Sequence, residues 1–242
     1  MLNSPTASNL GTLATAKISI IIPVLNEAAS IAAVVQQALT GENIEIIVSD
    51  GGSQDQTVMV VESLGISVVH STPGRSQQMN LGAKQATGEI LLFLHADTYL
   101  PDQFDHTIRQ SLIPPQIIAG AFNLNIATDL PGIRWVEKMV NWRSRIFQLP
   151  YGDQAIFLKT STFWQMGGFP ELPIMEDFEL IRQLRKRGKI AIASVAVLTS
   201  GRRWQQLGVL KTTLLNQLII IGYFLGISPH RLARYYRRQK SK

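Results

Sequence analysis

Residues 17–50 read KISIIIPVLNEAASIAAVVQQALTGENIEIIVSD, and they contain the strongest secondary-structure signals of the chain. The run from Lys17 to Pro23 is almost continuously apolar and of strand length, which is typical of a parallel strand buried on both faces. A segment with helical spacing follows, and Asn26 is its predicted N-cap. A second strand is predicted over Ile44–Ser49. Strand, helix and strand in this order predict a βαβ unit.

The next segments repeat the same alternation. A third short strand is predicted at residues 66–71, a polar helix between glycines at 74–88, and a fourth strand at 89–97. The fourth strand reads EILLFLHAD and is unusual because a His and an Asp close an otherwise apolar run. Alternating strands and helices predict an α/β fold with an open, Rossmann-like and mostly parallel central sheet and helices on both of its faces.

The second half of the chain is less regular. A strand is predicted at residues 119–127 and an amphipathic helix at 132–147. Residues 154–169 predict a strand and a short helix, and residues 175–188 a helix ended by Gly188.

Polar side chains follow three of the predicted parallel strands. Pro23–Glu27, Asp50–Ser53 and His95–Asp97 stand at the carboxyl ends of these strands. Ligands of open parallel sheets bind beyond those ends, so the three groups are expected to meet in one crevice. The sequence has no G-x-G-x-x-G and no Walker motif, which argues against a dinucleotide site and against a P-loop.

Taken singly, these acidic residues leave two interpretations open. Asp50 stands before two glycines, where it would either contact a base or ribose or only close a tight turn. Asp97 would either hold Mg²⁺ or Mn²⁺ together with substrate phosphates or cap a helix. The adjacent Glu176 and Asp177 would either cap a helix or supply a general base.

Six segments, in this order and spacing, resemble the family 2 glycosyltransferases, which have the GT-A fold. The resemblance covers about residues 17–204, and its segments are SIIIPVLNE, IIVSDGGSQDQT, GRSQQMNLGAKQATGEILLFLHADT, YGDQAIFLK, GGFPELPIMEDFEL and GRRW. The likeness is greatest to a small bacterial subgroup with LLFLHADT and PIMEDFEL, some of whose members are described as carotenoid or other lipid glycosyltransferases.

The resemblance implies a role for each matching position. It implies nucleotide contacts for Pro23, Asn26, Glu27, Asp50, Gly51, Arg75, His95 and Ala96. It implies that Asp97 holds a divalent metal, Mg²⁺ or Mn²⁺, and that Asp177 is the catalytic base beside Glu176. It implies an acceptor or diphosphate role for Asp153, Gln154, Arg202, Arg203 and Trp204.

The chain departs from the family pattern at two places. His95 replaces the first Asp of the family's D-x-D motif, which removes a negative charge and is expected to weaken metal binding. Ser200 and Gly201 stand just upstream of Arg202-Arg203-Trp204, where the family's Q-x-x-R-W element would have its Gln. Longer processive members carry the full element, so this chain is expected to add one sugar and release it.

Charge divides the chain in two. Residues 1–179 hold 9 Lys/Arg and 17 Asp/Glu, whereas residues 180–242 hold 14 Lys/Arg and no acid. The apolar part of the tail, residues 214–227, would be about 21 Å long as a helix, which is shorter than a bilayer core of about 30 Å. The arginines and tyrosines behind it predict an interfacial helix on an anionic membrane, with a core-packing helix as the alternative. The acidic first part of the chain argues against a nucleic-acid partner.

These observations predict three parts: a disordered leader at 1–16, a transferase domain at 17–204 and an apolar, basic tail at 205–242. The chain has no cysteine, which fits a reducing compartment. The expected location is cytoplasmic and peripheral, on the inner face of the cell membrane. The expected activity is inverting transfer of a sugar from a nucleotide-sugar, by family habit a UDP-sugar, to a hydroxyl of a lipid-like acceptor. The alternative is a non-catalytic, membrane-associated sugar-nucleotide-binding protein.

Overall fold

The computed structural model describes residues 13–240, and its centre is one sheet of eight strands in the order β3-β2-β1-β4-β7-β6-β8-β5. The strands are Ile18–Val24 (β1), Ile44–Asp50 (β2), Val68–His70 (β3), Ile90–Phe93 (β4), Thr98–Tyr99 (β5), Ile117–Ala127 (β6), Phe157–Lys159 (β7) and Lys189–Ser200 (β8).

Helices cover both faces of this sheet. They are Ile31–Ala38 (α1), Thr57–Ser63 (α2), Arg75–Gln85 (α3), Phe104–Ser111 (α4), Ile133–Phe147 (α5), Thr160–Gln165 (α6), Glu176–Leu184 (α7), Arg202–Leu207 (α8), Val209–Phe224 (α9) and Pro229–Lys240 (α10). A 3₁₀ turn, Gly152–Gln154, precedes β7.

The strand β1 is buried on both faces, as its apolar run predicts. Ile20 and Ile22 belong to the core on one face, which α1 and α4 cover, and Ile21 belongs to the core on the other face, under α3 and α7. All three side chains are inaccessible to solvent. Parallel pairing with β2 and β4 on either side completes the βαβ core, so the carboxyl ends of β1, β2 and β4 meet at one edge.

The other half of the sheet mixes directions. β7 lies antiparallel between β4 and β6, β6 and β8 pair in parallel, and β5 pairs antiparallel with β8. Two register shifts interrupt the β6–β8 pairing, and such irregularities bend long strands. Four of the seven strand pairings are parallel, so the predicted mostly parallel sheet holds, with its antiparallel part in the second half.

Two sequence predictions at the crevice need correction. The fourth strand ends at Phe93 instead of Asp97, and the His95 carbonyl accepts a hydrogen bond from the Thr98 amide at 3.1 Å, which closes a turn. Asn26 is not an N-cap, because α1 begins at Ile31, and Asn26 has the left-handed φ of 57°.

The ordered domain begins earlier than residue 17. Leu13 packs against the core, Ala16 is buried, and the Ala16 carbonyl accepts a hydrogen bond from Arg109 Nε at 2.9 Å. The first twelve residues of the predicted leader lie outside the described residues.

The tail forms the two helices that its composition predicts, α9 and α10. They pack on α7 through a separate small core that contains Phe178, Ile219 and Leu232. Within residues 13–240, no helix combines the length and the apolar character needed to cross a bilayer.

Candidate active site

The loops that follow β1 and β2 are bound to each other. The Asn26 amide donates to Ser53 Oγ at 2.9 Å, the Gln54 amide donates to Asn26 Oδ1 at 2.8 Å, and the Glu27 amide donates to Thr57 Oγ1 at 2.8 Å. The left-handed backbone of Asn26 is one that asparagine tolerates better than most residues. These contacts hold Glu27 in place at the mouth of the crevice, beside Pro23 at the end of β1.

Asp50 organises the turn that follows β2. Its carboxylate is almost fully buried and accepts hydrogen bonds from the amides of Gly52 (3.0 Å) and Ser53 (3.1 Å). Burial raises the pKa of Asp50, but hydrogen bonds from Ser53 and Gly52 and the neighbouring His70 outweigh it and hold the pKa below its ordinary value. The carboxylate therefore stabilises its own turn, and its contact with a base or ribose stays a prediction.

Gln78, on α3, connects the carboxyl ends of β1 and β2 through hydrogen bonds. Its Nε2 donates to the carbonyls of Val24 (2.7 Å) and Ser49 (2.8 Å). A Cβ on Gly51 would lie 2.9 Å from the Gln78 side chain, so the first glycine after Asp50 has little room for any other residue. Sequence reasoning missed Gln78, because nothing in a polar helix marks which glutamine points inward.

Arg202 connects two of the predicted site carboxylates. Its Nη2 lies 2.9 Å from Glu27 Oε2 and 3.0 Å from Asp97 Oδ2. The hydrogen bonds that Arg202 donates to Glu27 and Asp97 raise its pKa above the ordinary value. All three side chains remain partly open to solvent. The structure therefore brings together three residues that are far apart in sequence, at the open edge of the crevice.

Asp177 and His95 meet at Gly152, in a small pocket that Arg75 and Phe93 also line. Asp177 Oδ2 accepts a hydrogen bond from the Gly152 amide at 2.6 Å, and Oδ1 accepts one from the Phe178 amide at 2.7 Å. A Cβ on Gly152 would lie 2.8 Å from Asp177 Oδ2 and 3.1 Å from His95 Nε2. A side chain at this position would have to displace the Asp177 carboxylate.

Glu176, the neighbour of Asp177, points into the protein. Its side chain is almost fully buried, and its Oε1 lies 3.6 Å from Arg75 Nη1. Burial raises the pKa of Glu176, Arg75 opposes that rise, and Asp177 adds to it. Within the described residues its contact is with Arg75, which favours a role in holding that arginine over a role in proton transfer.

The predicted acceptor side contains two charged groups with unsatisfied atoms. Asp153 Oδ1 and the Nε and Nη2 of Arg203 are buried and have no hydrogen-bond partner in residues 13–240. Burial raises the pKa of Asp153 to about 6, against the opposing charge of Arg143. Burial also lowers the pKa of Arg203 to about 10. Unpaired buried polar atoms are costly, and they are common where a ligand supplies the missing partner.

Arg203 also contacts the last helix. Its guanidinium stacks on the ring of Tyr236, on α10, at 4.2 Å from the ring centroid, and its Nη1 hydrogen-bonds the Tyr236 hydroxyl. Its neighbour Trp204 packs, partly buried, against the main core. The tail is therefore in direct contact with Arg203, a residue of the predicted acceptor side.

Gln154 is a structural residue of the 3₁₀ turn. It is fully buried, its Oε1 accepts a hydrogen bond from Ser144 Oγ at 2.8 Å, and its Nε2 donates to the Phe122 carbonyl at 2.8 Å. These two hydrogen bonds hold the turn, and a contact of Gln154 with the acceptor stays a prediction. Beside it, the guanidinium of Arg143 stacks on Tyr151 at 3.6 Å from the ring centroid, a pair that sequence reasoning did not identify.

The predicted metal ligand at the crevice is Asp97. Ala96, between His95 and Asp97, is buried, while the Asp97 carboxylate faces Arg202. Among residues 13–240 no three or more His, Asp or Glu side chains are placed to hold an ion. Mg²⁺ and Mn²⁺ are hard ions that often take one or two protein carboxylates and complete their shell with substrate phosphates and water. Asp97 fits that type of site.

The chain matches the model of a known protein family. The model of the family described as glycosyl transferase family 2 matches residues 19–165, more than half of the chain. An uncharacterised glycosyltransferase of Rickettsia typhi is 37% identical over 97 residues, which are 38% of this chain and 30% of that protein. The chain therefore spans about a third of the length of this curated relative.

Two solved structures share the fold. A mannosyltransferase of Pyrobaculum calidifontis, in complex with GDP-Man and Mn²⁺, has a TM-score of 0.62 at 20% identity over 76% of this chain and 56% of that one. Glucosyl-3-phosphoglycerate synthase of Mycobacterium tuberculosis, in complex with Mn²⁺, UDP and phosphoglyceric acid, has a TM-score of 0.61 at 18% identity over 90% of this chain and 83% of that one.

Proposed function

Because the chain belongs to glycosyl transferase family 2, we propose that it moves a sugar from a nucleotide-sugar, with a UDP-sugar as first choice, to a hydroxyl of a lipid-like acceptor. One observation carries the proposal: Asp177, His95 and Arg75 share a pocket at the end of β4, and Glu27, Asp97 and Arg202 meet at the same edge of the sheet. The solved relatives support the donor class, since their complexes contain GDP-Man and UDP.

The proposed chemistry is an inverting displacement with Asp177 as base. Asp177 takes the proton of the acceptor hydroxyl while that oxygen forms a bond to the anomeric carbon and the bond from this carbon to the diphosphate oxygen breaks. Two backbone amides orient the carboxylate, which lines the pocket beside His95. A carboxylate that backbone amides orient toward a pocket is suited to accepting a proton.

Asp97, through a bound metal ion, and Arg202 would stabilise the negative charge on the leaving diphosphate. Asp97 would hold the divalent ion, Mg²⁺ or Mn²⁺, and such an ion when bound neutralises negative charge on phosphate oxygens. Arg202 presents a guanidinium that is half exposed, and its fork of donors matches phosphate oxygens. Arg202 would exchange its contacts with Glu27 and Asp97 for contacts with the diphosphate.

The lipid-like acceptor and the membrane surface rest on the tail. Residues 180–242 contain 14 basic residues and no acid, and the exposed side chains of α10 include Arg231 and Arg234. Since Tyr236 on the same helix lies on Arg203, the basic helix is adjacent to the proposed acceptor side. A peripheral position on the inner face of the cell membrane follows from this proposal.

Calorimetric titration with UDP and with GDP, each with Mn²⁺ and with EDTA, tests the donor site. We expect one nucleotide to bind, more tightly with the metal, because Asp97 and the diphosphate would share it. Asp97→Asn should abolish the gain in affinity from the metal, whereas Asp102→Asn, at an exposed carboxylate before α4, should keep it. Failure of both nucleotides to bind a folded chain would overturn the proposal.

A non-catalytic sugar-nucleotide-binding protein is the second candidate. His95 at the first position of the D-x-D motif and the contact of Arg202 with Asp97 both favour it, because each weakens the metal site. Release of UDP from a UDP-sugar distinguishes the two candidates. Nucleotide binding without any release of UDP, in the presence of lipid extracts, would favour this second candidate.

A further inference from the structure

Helix α5 is apolar on two opposite sides. Ile133 and Val136 are buried against the main core. On the opposite side, four large apolar side chains are between 42% and 65% exposed: Trp135, Met139, Trp142 and Ile146. A helix that only packs on a core has one apolar side, so the second side needs a separate explanation.

These four residues form a straight stripe, and basic residues flank it. Their spacing of four, three and four places them on one line of the helix, about 17 Å long. The exposed charged residues of α5 are Arg134, Lys138 and Arg145, and its one acid, Glu137, is buried and paired with Arg134 at 2.7 Å. An apolar stripe bordered only by cations is typical of a helix that lies in an anionic membrane surface.

Helix α9 has the same arrangement. Leu215 and Ile219 are buried, while a second line of residues is between 52% and 74% exposed: Leu210, Leu214, Leu218 and Ile221. The two helices begin next to each other, because a Cβ on Gly132, the residue before α5, would lie 3.9 Å from Val209.

The acceptor side of the site lies between the later parts of the two helices. Arg143, on α5, stacks on Tyr151. The ring centroid of Phe178 lies 6.2 Å from that of Tyr151 and 5.6 Å from that of Phe224, on α9. Tyr151 and Phe178 are sequence neighbours of Gly152 and Asp177. A surface that carried both helices would therefore adjoin the site.

We propose that α5 is a second membrane-contacting helix, which inserts its Trp135–Ile146 stripe into an anionic lipid surface beside α9. The exposed charged groups of α5, α9 and α10 within the described residues are all basic. This uniform positive charge favours an anionic lipid surface over a protein partner. The inference rests on the proposed function, in which the acceptor is a lipid of the membrane. It adds which surface of the protein contacts that membrane.

Quenching by brominated phosphatidylcholine, in vesicles that also contain phosphatidylglycerol, tests the contact on the full chain. The chain has four tryptophans, and Trp135 and Trp142 belong to the stripe. We expect the Trp135→Phe/Trp142→Phe variant to lose more than about half of the quenching while it still binds vesicles, because bromine quenches only inserted rings. Trp164→Phe, which changes an exposed tryptophan on α6, should keep the quenching.

A second pair of variants tests affinity. Met139→Glu, in the stripe, should lower the affinity for these vesicles about tenfold, whereas Met59→Glu, an exposed methionine on α2, should leave it unchanged. Equal quenching in the double variant and its parent, or equal affinity of the two glutamate variants, would overturn the proposal. Sedimentation that shows the stripe buried in a dimer would overturn it as well.

The donor titration on the same preparations separates this proposal from the proposed function. Vesicle quenching through the stripe without binding of UDP or GDP would support the membrane contact and contradict the transferase function. Nucleotide binding without quenching through the stripe would support the transferase function and contradict the membrane contact.

Discussion

Asp177 is the residue on which the proposed chemistry depends. We expect Asp177→Asn to lower the release of UDP from a UDP-sugar by about 10²–10⁴-fold, because an amide cannot accept the proton of the acceptor hydroxyl. Asparagine retains one oxygen for the amide of Gly152, so nucleotide binding should survive. Rate assays and calorimetry on the same variant measure both effects, with Asp102→Asn, an exposed carboxylate before α4, as the control. Equal loss in both variants would contradict the assignment.

Asp153 is expected to cost stability at neutral pH. Its pKa in the folded protein is about 6, above the ordinary 3.8, so the folded state binds this proton more tightly than the unfolded state. Its contribution to the free energy of unfolding therefore falls as the pH rises from about 4 to about 6 and stays low above that range.

The variant Asp153→Asn tests that pH dependence. At pH 7.5 it should raise the free energy of unfolding by roughly 1–3 kcal/mol, and at pH 4.5 by much less, because the carboxyl is then largely protonated in the folded state. Urea unfolding at the two pH values gives the difference. A gain of the same size at both would show that the charge of Asp153 is not the cause.

Which site residues can be read from the sequence depends on how they are held. Glu27, Asp97 and Arg202 carry charge at loops and helix starts, where the family motifs mark them, and the structure brings them together. Gln78 and Tyr151 act through buried hydrogen bonds and ring stacking, which depend on which way a side chain points. No sequence pattern records that direction.

At the scale of elements, the sequence predicts the first half of the sheet best. The strand β1 is apolar throughout because both of its faces are buried, and β2 repeats that pattern. β8, the longest strand, was not predicted, although KIAIASVAVLTS is rich in β-branched residues. Because β8 pairs with both β6 and β5, the burial of its side chains varies irregularly along its length. The alternation of buried and exposed residues that marks a strand in a sequence is therefore missing.

The junction between β1, β2 and α3 is the element-scale feature most open to test. We expect Gln78→Met to lower the free energy of unfolding by about 1–3 kcal/mol, because the side-chain hydrogen bonds to Val24 and Ser49 are lost from a buried site. Gln85→Met, at the exposed end of the same helix, should change it by less than about 0.5 kcal/mol. Urea unfolding compares the two, and similar losses would mean that the buried contacts contribute little.

At the scale of the whole molecule, the separation of charge suggests a preferred orientation on a membrane. The basic residues after residue 179 include an exposed group on α10, whereas the first 179 residues carry an excess of acid. The family and the fold, both anticipated from six motifs in order, are confirmed by the family match and by the solved structures. The orientation is a property of the assembled surface, so it needs a direct measurement.

Charge reversal at two places measures that orientation. Arg231→Glu/Arg234→Glu should weaken binding to phosphatidylglycerol vesicles about tenfold or more at low salt, because each basic group near the surface contributes about 1 kcal/mol. Arg185→Glu/Lys186→Glu alters net charge equally but at the end of α7, and it should have a smaller effect. Co-sedimentation at low and high salt gives both values, and equal weakening would indicate attraction by net charge alone.

The stacking of Tyr236 on Arg203 bears on how the protein is handled in the laboratory. An affinity tag or a fluorescent protein fused after α10 would be attached to the helix that carries Tyr236, so it would disturb the contact of this helix with Arg203, on the predicted acceptor side. A preparation tagged there that shows no turnover is weak evidence against an enzyme. A tag placed before Leu13 leaves the packing of α10 undisturbed, and we expect it to be the better choice for purification and imaging.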